Sequence, residues 1–306
     1  MFFHAAGIEV APWVPPLVAF AISFFTCMGG VSGAFLLLPF QVSVLGYVHP
    51  SVSATNHLFN IVAIPSGVYR YWKEGRMVWP LTWVVVAGTL PGVFIGAFIR
   101  VAWLPDPLHF KLFAAAVLLY IGGRLAVDLL RKGRGAVAGS CGLRASAPLA
   151  AGLSAVSGAR FTMKRLDYTY QGEHFSVPVW GVFALSFVVG IIGGTYGIGG
   201  GSIIAPFFVT FFGLPVHTVA GAALMGTCVT SVAGVGFYQL IAPLYPKLSV
   251  APDWRLGLLF GLGGAAGMYL GARCQKFVPA RIIKWMLAGV ILFTAVRYLT
   301  EFFFSP

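Results

Sequence analysis

The sequence predicts an all-α polytopic membrane protein, made of two inverted repeats with about eight full spans and two broken or re-entrant helical hairpins. Three observations lead there. Of 306 residues, 9% are charged and 58% hydrophobic, and the mean hydropathy is +0.88; a soluble domain carries about 25% charged residues. The apolar runs stop at a central basic stretch and then restart as a second series resembling the first. In each series a glycine cluster breaks the apolar pattern. The clusters are Gly29-Gly30-Val31-Ser32-Gly33, closing at Pro39, and Gly193-Gly194-Thr195-Tyr196-Gly197-Ile198-Gly199-Gly200-Gly201-Ser202, closing at Pro206.

The elements follow in order. Residues 15–28 form an apolar run ending in the first break. Residues 1–16 hold no Lys or Arg, so this run reads as a mature membrane segment and not a cleaved signal peptide. Residues 33–45 form a second run, too short alone for a span of about 20 residues. Fuller runs cover 51–72, 77–102 and 107–130. A basic stretch follows, with Arg131, Lys132, Arg134, Arg144, Arg160, Lys164 and Arg165; its Gly/Ala/Ser-rich middle reads as a loosely held loop. The second series covers 179–192, 200–213, 216–242, 251–273 and 279–304. The domain boundaries expected are therefore 1–130 for the first membrane repeat, 131–178 for a basic cytoplasmic loop and 179–306 for the second repeat.

The restart reads as a duplication. With Pro39 set on Pro206, Gly30, Gly33, Phe40, Val42 and Gly46 fall on Gly197, Gly200, Phe207, Val209 and Gly213. After a small insertion Gly92, Gly96 and Ala97 fall on Gly267, Gly271 and Ala272. Later, Lys111, Arg124 and Asp128 fall on Lys284, Arg297 and Glu301. Whether or not the short segments cross, each half crosses an odd number of times, so the halves are expected to be inverted. The basic clusters at 73–76, from 131 onward and at 273–284 then share one face, leaving Arg100, Lys111, Lys247 and Arg255 on the other. The richer face is expected to be cytoplasmic, with both termini outside the cell inner membrane. The net charge of +12 thus reads as positive-inside loops and not as a nucleic-acid surface.

The breaks are the first candidate site. Helix N-termini carry about +0.5 charge and free N–H donors. Short helices starting near Gly33 and Gly200 would approach the midplane from opposite faces and converge on one anion. The substrate-binding candidates here are Gly30, Ser32, Gly33, Gly199, Gly200, Gly201 and Ser202. The competing reading is that the glycines only permit close helix packing. Asn56, His57 and Asn60 crowd one stretch of an apolar span, and Asn56 and Asn60 share a helix face. Thr227 is the register partner of Asn60, beside Cys228, Thr230 and Ser231. Amide and hydroxyl donors suit an oxyanion, and His57 is the ionisable group that pairs with the anion or carries a proton. The alternative is that these groups hold helices together. Cys27 and Cys228 flank the site regions as small hydrophobes, or as thiols against a soft sulfur substrate. The four cysteines have no C-x-x-C spacing, so no metal site is expected.

The duplicated Gly-rich break ending in Pro, each copy followed by a small-polar helix (Ser53-Ala54-Thr55-Asn56-His57; Ala220-Gly221-Ala222-Ala223-Leu224-Met225-Gly226-Thr227), resembles the TauE/SafE family of sulfite and organosulfonate exporters. The resemblance covers about 17–130 and 179–304. It implies secondary transport of a small sulfur oxyanion: sulfite, a sulfonate or thiosulfate. The first break is poorer in glycine than the second, so the half-sites are expected to be unequal.

Other classes leave different marks in a sequence. Gly-Val-Ser-Gly with a later histidine suggests an intramembrane serine protease with Ser32 as nucleophile and His57 as base, but the twin break carries Gly199 at the position of Ser32. A metal-cation permease wants acidic groups in its spans, and the apolar cores have none away from their ends. A permease for an unrelated anion stays open. The expectation is a non-enzymatic carrier without cofactor, working by alternating access, whose partners are the anion, membrane lipids and a coupling proton or cation. Export is favoured because one negative charge gains about 2.3 kcal/mol per 100 mV when it leaves a negative-inside cell.

Overall fold

The computed structural model describes residues 1–306 except 29–31, 74, 76, 135–155, 171, 202, 275–279 and 305–306. Five helices precede the central stretch: α1 (Val14–Met28), α2 (Ala34–Ser43), α3 (Ser51–Lys73), α4 (Trp79–Ala102) and α5 (Pro107–Arg134). Five follow it: α6 (Val179–Tyr196), α7 (Ile204–Phe212), α8 (Val216–Ile241), α9 (Trp254–Cys274) and α10 (Ala280–Phe304). The apolar runs of the sequence match these helices closely; α1 and α2 bound the first glycine break, and the second begins in the last turn of α6, at Gly193–Tyr196, and runs on toward α7. At 10 and 9 residues, α2 and α7 are about half the length a span needs. Three helices among the described residues are long and apolar enough to cross a membrane: Trp79–Ala102, Val179–Tyr196 and Thr218–Leu244. Trp13, Trp72, Trp79, Trp103, Trp180 and Trp254 all sit exposed at helix ends, where amphipathic rings meet headgroups.

The helices pair across the two series. The first helix of each series packs on the fourth of the other: α1 on α9, and α6 on α4. The third helices, α3 and α8, pack together, and so do the fifth, α5 and α10. Exchanging the two series leaves this pairing unchanged. Glycines make the closest contacts possible. A Cβ on Gly92 or Gly96 of α4 would collide with the carbonyls of Phe187 or Ile191 on α6. A Cβ on Gly263, Gly267 or Gly271 of α9 would collide with those of Pro16, Phe20 or Phe24 on α1. These are small-xxx-small surfaces, and they include the glycines matched in the sequence comparison.

The molecule is mostly but not wholly helical, which corrects the all-α expectation. A short hairpin, β1 (Phe2–Phe3) with β2 (Ile8–Glu9), precedes α1. Its turn carbonyl, Ala5 O, accepts from Ser51 Oγ at 3.2 Å and from Ser249 Oγ at 2.5 Å. The central stretch carries a three-stranded antiparallel sheet, β3 (Ser157–Phe161), β4 (Arg165–Tyr170) and β5 (Glu173–Pro178). Leu166, Tyr168 and Tyr170 are buried on alternate positions of β4, the period-2 pattern of a half-buried strand. The sheet is tied down by Tyr168 Oη to Thr218 Oγ1 on α8 (2.9 Å) and by the Val156 amide, which donates to Gly75 O (3.0 Å). Burial pushes the Tyr168 phenol up to about 12. The hairpin and the sheet thus sit at opposite ends of α3.

Candidate functional site

The two breaks meet at the middle of α3. Asn56 donates both N–H groups of its amide to backbone carbonyls, Ala34 O at the start of α2 (3.0 Å) and Gly197 O at the end of α6 (3.0 Å). One turn on, Asn60 donates to Ile198 O (3.0 Å) and accepts from Ser32 Oγ (2.9 Å). Ser32 Oγ also receives the Ala34 amide at 3.3 Å. One helix face therefore holds a carbonyl or hydroxyl from each break, as the spacing of the two asparagines allows. Asn56, Asn60 and Ser32 are all buried. In this arrangement the Asn56 donors are fully used and Asn60 keeps one N–H. The asparagines act here as struts between the breaks, the helix-holding alternative of the sequence reading.

The second break turns sharply. Gly197 and Gly199 lie at φ 80° and 76°, left-handed conformations that glycine adopts without a Cβ penalty. The Gly197 and Ile198 amides both reach back to Gly193 O. Among the described residues, the amides of Gly199, Gly200 and Gly201 have no acceptor. All three residues are buried. Their Cα faces are filled by neighbours: Gly199 by Thr227 and Ser231, Gly200 by Thr89, and Gly201 by the Ala223 carbonyl and Thr227. Close packing thus explains why glycine stands there, and the bare amides are a separate property of the same turn. Gly33, at the first break, packs against Ser23 and Phe59. Gly30 and Ser202 lie outside the described residues.

α8 lines the other side. Thr227 Oγ1 donates to Ala223 O (2.9 Å) while its side chain packs on Gly199 and Gly201. Cys228 is half-buried among core hydrophobics. His57, fully buried, pairs through Nδ1 with Ser231 Oγ (3.2 Å), and its Nε2 has no partner. The pairing needed for a serine protease is absent: Ser32 is bonded to Asn60 and His57 to Ser231. No group of three or more His, Cys, Asp or Glu side chains able to hold a metal occurs among the described residues.

One member of this cluster, Gln41, and a buried arginine outside it, Arg100, carry no functional role in the sequence reading. Gln41, buried in α2, donates from Nε2 to Asn56 Oδ1 (3.4 Å); a lone amide in an apolar ten-residue helix was the signal. Arg100 is a buried guanidinium that donates to the carbonyls of Leu104 and Val48 and stacks 3.7 Å over the Phe110 ring. The sequence sets Arg100 among the few charges of the less basic face, and nothing local marks an arginine at a helix end as buried.

Residues 16–298 match the model of the family described as sulfite exporter TauE/SafE. The chain belongs to that family. It is 28% identical over 122 residues to a probable membrane transporter protein of Bacillus subtilis (strain 168), YdhB, covering 40% of this chain and 46% of that one. It is 30% identical over 122 residues to a probable membrane transporter protein of Sinorhizobium sp, ORF9, covering 39% of this chain and 44% of that one. A probable membrane transporter protein of Xylella fastidiosa is 25% identical over 289 residues, 92% of this chain and 90% of that one. With the first of these relatives, as with the second, the match spans less than half of the relative's length. No solved structure matches. The relatives carry the name of probable membrane transporter proteins, and the apolar helices and exposed tryptophans of this TauE/SafE chain fit a membrane setting.

Proposed function

We propose that this TauE/SafE protein moves a small sulfur oxyanion (sulfite, a sulfonate or thiosulfate) out across the cell inner membrane by alternating access. The observation that carries the reading is the run of bare amides at Gly199, Gly200 and Gly201 beside the junction of the two breaks. Inside a membrane each unpaired N–H costs several kcal/mol. An anion seated at this turn supplies the missing acceptor, and the N-terminal end of α7 adds favourable potential. Asn60, bonded to Ile198 O next to this turn, keeps one N–H to offer, while Ser32 spends its hydroxyl on Asn60 Oδ1 and Asn56 is spent on both breaks. The two series are read as inverted repeats that rock about this junction. The sheet and the basic stretch 131–178 face the cytoplasm, and both termini face outward.

Flux in proteoliposomes tests the reading. With sulfite, methanesulfonate, thiosulfate, sulfate and chloride as probes, sulfur oxyanions are carried and chloride is not. Asn60→Ala is expected to slow that flux at least tenfold. Equal flux of chloride, or no flux of any sulfur anion, would remove the proposal.

A further inference from the structure

His57 sits on α3 between the two asparagine struts, at zero exposure. Its Nδ1 lies 3.2 Å from Ser231 Oγ, and that hydroxyl borders the second break: a Cβ on Gly199 would stand 3.1 Å from it. The edge of the ring carrying Nε2 lies against Gly234, where a Cβ would come within 3.1 Å of Nε2. Nε2 is a buried nitrogen with no partner, an exception among buried polar atoms that calls for an explanation. On α8 the titratable neighbour is Tyr238, with ring centroids 6.2 Å apart and the phenol turned to Gly194 O of α6 at 3.5 Å. Arg100 is within electrostatic reach of Tyr238 but turns its guanidinium to Leu104 O, Val48 O and the Phe110 ring. On α3 itself the flanking polar groups, Ser53, Asn56 and Asn60, are neutral. Among the described residues no carboxylate faces the imidazole.

We propose that His57 is the proton site of a proton–anion symporter: Nε2 takes up one proton when the sulfur oxyanion occupies the second break, and the two cross together. The proposal rests on the anion-carrier reading above. With Nδ1–H donating to Ser231 Oγ, the lone pair lies on Nε2, the atom left without a partner. A lone imidazolium at this depth is costly, since no acidic group offsets it. An anion at Gly199–Gly201, one side chain away, offsets it directly. Proton and anion therefore raise each other's affinity by the same factor, as linkage requires, and the loaded state that crosses holds both. The proton balance is simple: Nε2 gains H⁺ from the aqueous phase on the loading side and returns it on the other, with no other bond made or broken. A dianion carried with one proton still moves one net negative charge and leaves a negative-inside cell downhill. A monoanion crosses without net charge.

The test uses the full chain in liposomes with pyranine inside and radiolabelled thiosulfate or sulfite as probe, each imposed as a gradient. The wild-type protein moves protons in the same direction as the anion. His57→Gln carries the anion more slowly, and its proton-to-anion ratio falls to near zero. Should His57→Gln not fold, Ser231→Ala serves: losing the Nδ1 acceptor moves the midpoint of the pH profile of anion exchange to lower pH. Anion flux by the wild type without proton movement overturns the symport, as does a full ratio in His57→Gln or an unmoved midpoint in Ser231→Ala. No flux of either anion under any gradient overturns the carrier reading itself, and the symport with it.

Discussion

At the scale of single residues, Asn56 is the most consequential side chain. Its carboxamide alone joins Ala34 O and Gly197 O. Ala34 O, in the first turn of α2, keeps its helical donor, so Asn56→Ala strands the Gly197 carbonyl, at about 1–3 kcal/mol, and unties the two breaks. The expected result is a clear fall in the melting temperature in detergent together with loss of transport; a variant with wild-type melting would refute the strut. Ser32→Ala removes the hydroxyl that donates to Asn60 Oδ1 and accepts from the Ala34 amide, two contacts worth about 1 kcal/mol each, and should lower the melting temperature as well. The residues of this cluster were legible because polar side chains in an apolar span must find partners. Their partners were not legible. The same amide serves an anion or a carbonyl equally well, and only three-dimensional placement showed that Asn56 spends both N–H groups on backbone. The burial of Arg100 was not legible for the converse reason: the acceptors of its guanidinium are the carbonyls of Leu104 and Val48, and backbone carbonyls leave no mark in a sequence.

At the scale of elements, glycine ladders govern how the helices approach. Gly92→Ala on α4 drives a methyl into the Phe187 carbonyl on α6, and Gly267→Ala on α9 does the same to Phe20 of α1. Both should destabilise by the 1–3 kcal/mol typical of overpacking, whereas Gly236→Ala, with nothing within 4 Å, should melt like the wild type. Equal melting temperatures for all three would contradict the packing described. Helix positions could be read from hydropathy because membrane depth fixes span length. The three-stranded sheet could not. Its buried face is three alternate residues of β4, Leu166, Tyr168 and Tyr170, with Val177 of β5, set in a basic stretch that composition alone marks as a loop. Tyr168 anchors this sheet to Thr218. Because burial holds the phenol near 12, it stays protonated up to alkaline pH and loses its proton only as the pH rises through that value. Tyr168→Phe should therefore cost about 1 kcal/mol by an amount that does not change between pH 6 and pH 9 when melting is followed by intrinsic fluorescence.

At the scale of the whole molecule, orientation is the open property with the simplest assay. Met163, at the exposed β3–β4 turn, marks the basic end. A single cysteine there, in a background with the native cysteines replaced, should resist impermeant maleimide in intact cells and react in inverted vesicles; labelling from outside would reverse the proposed topology. The crosswise pairing of α1 with α9 and of α6 with α4 reaches further. The carbonyl ridge of α1 is covered by glycines from the other series, and that of α6 likewise, so each series finishes its packing with a helix it does not itself encode. If both descend from one ancestral gene, its product had no solitary folded state. Two copies of that product would have to trade their first helices, and fusion would turn an obligatory partnership between molecules into a fold within one.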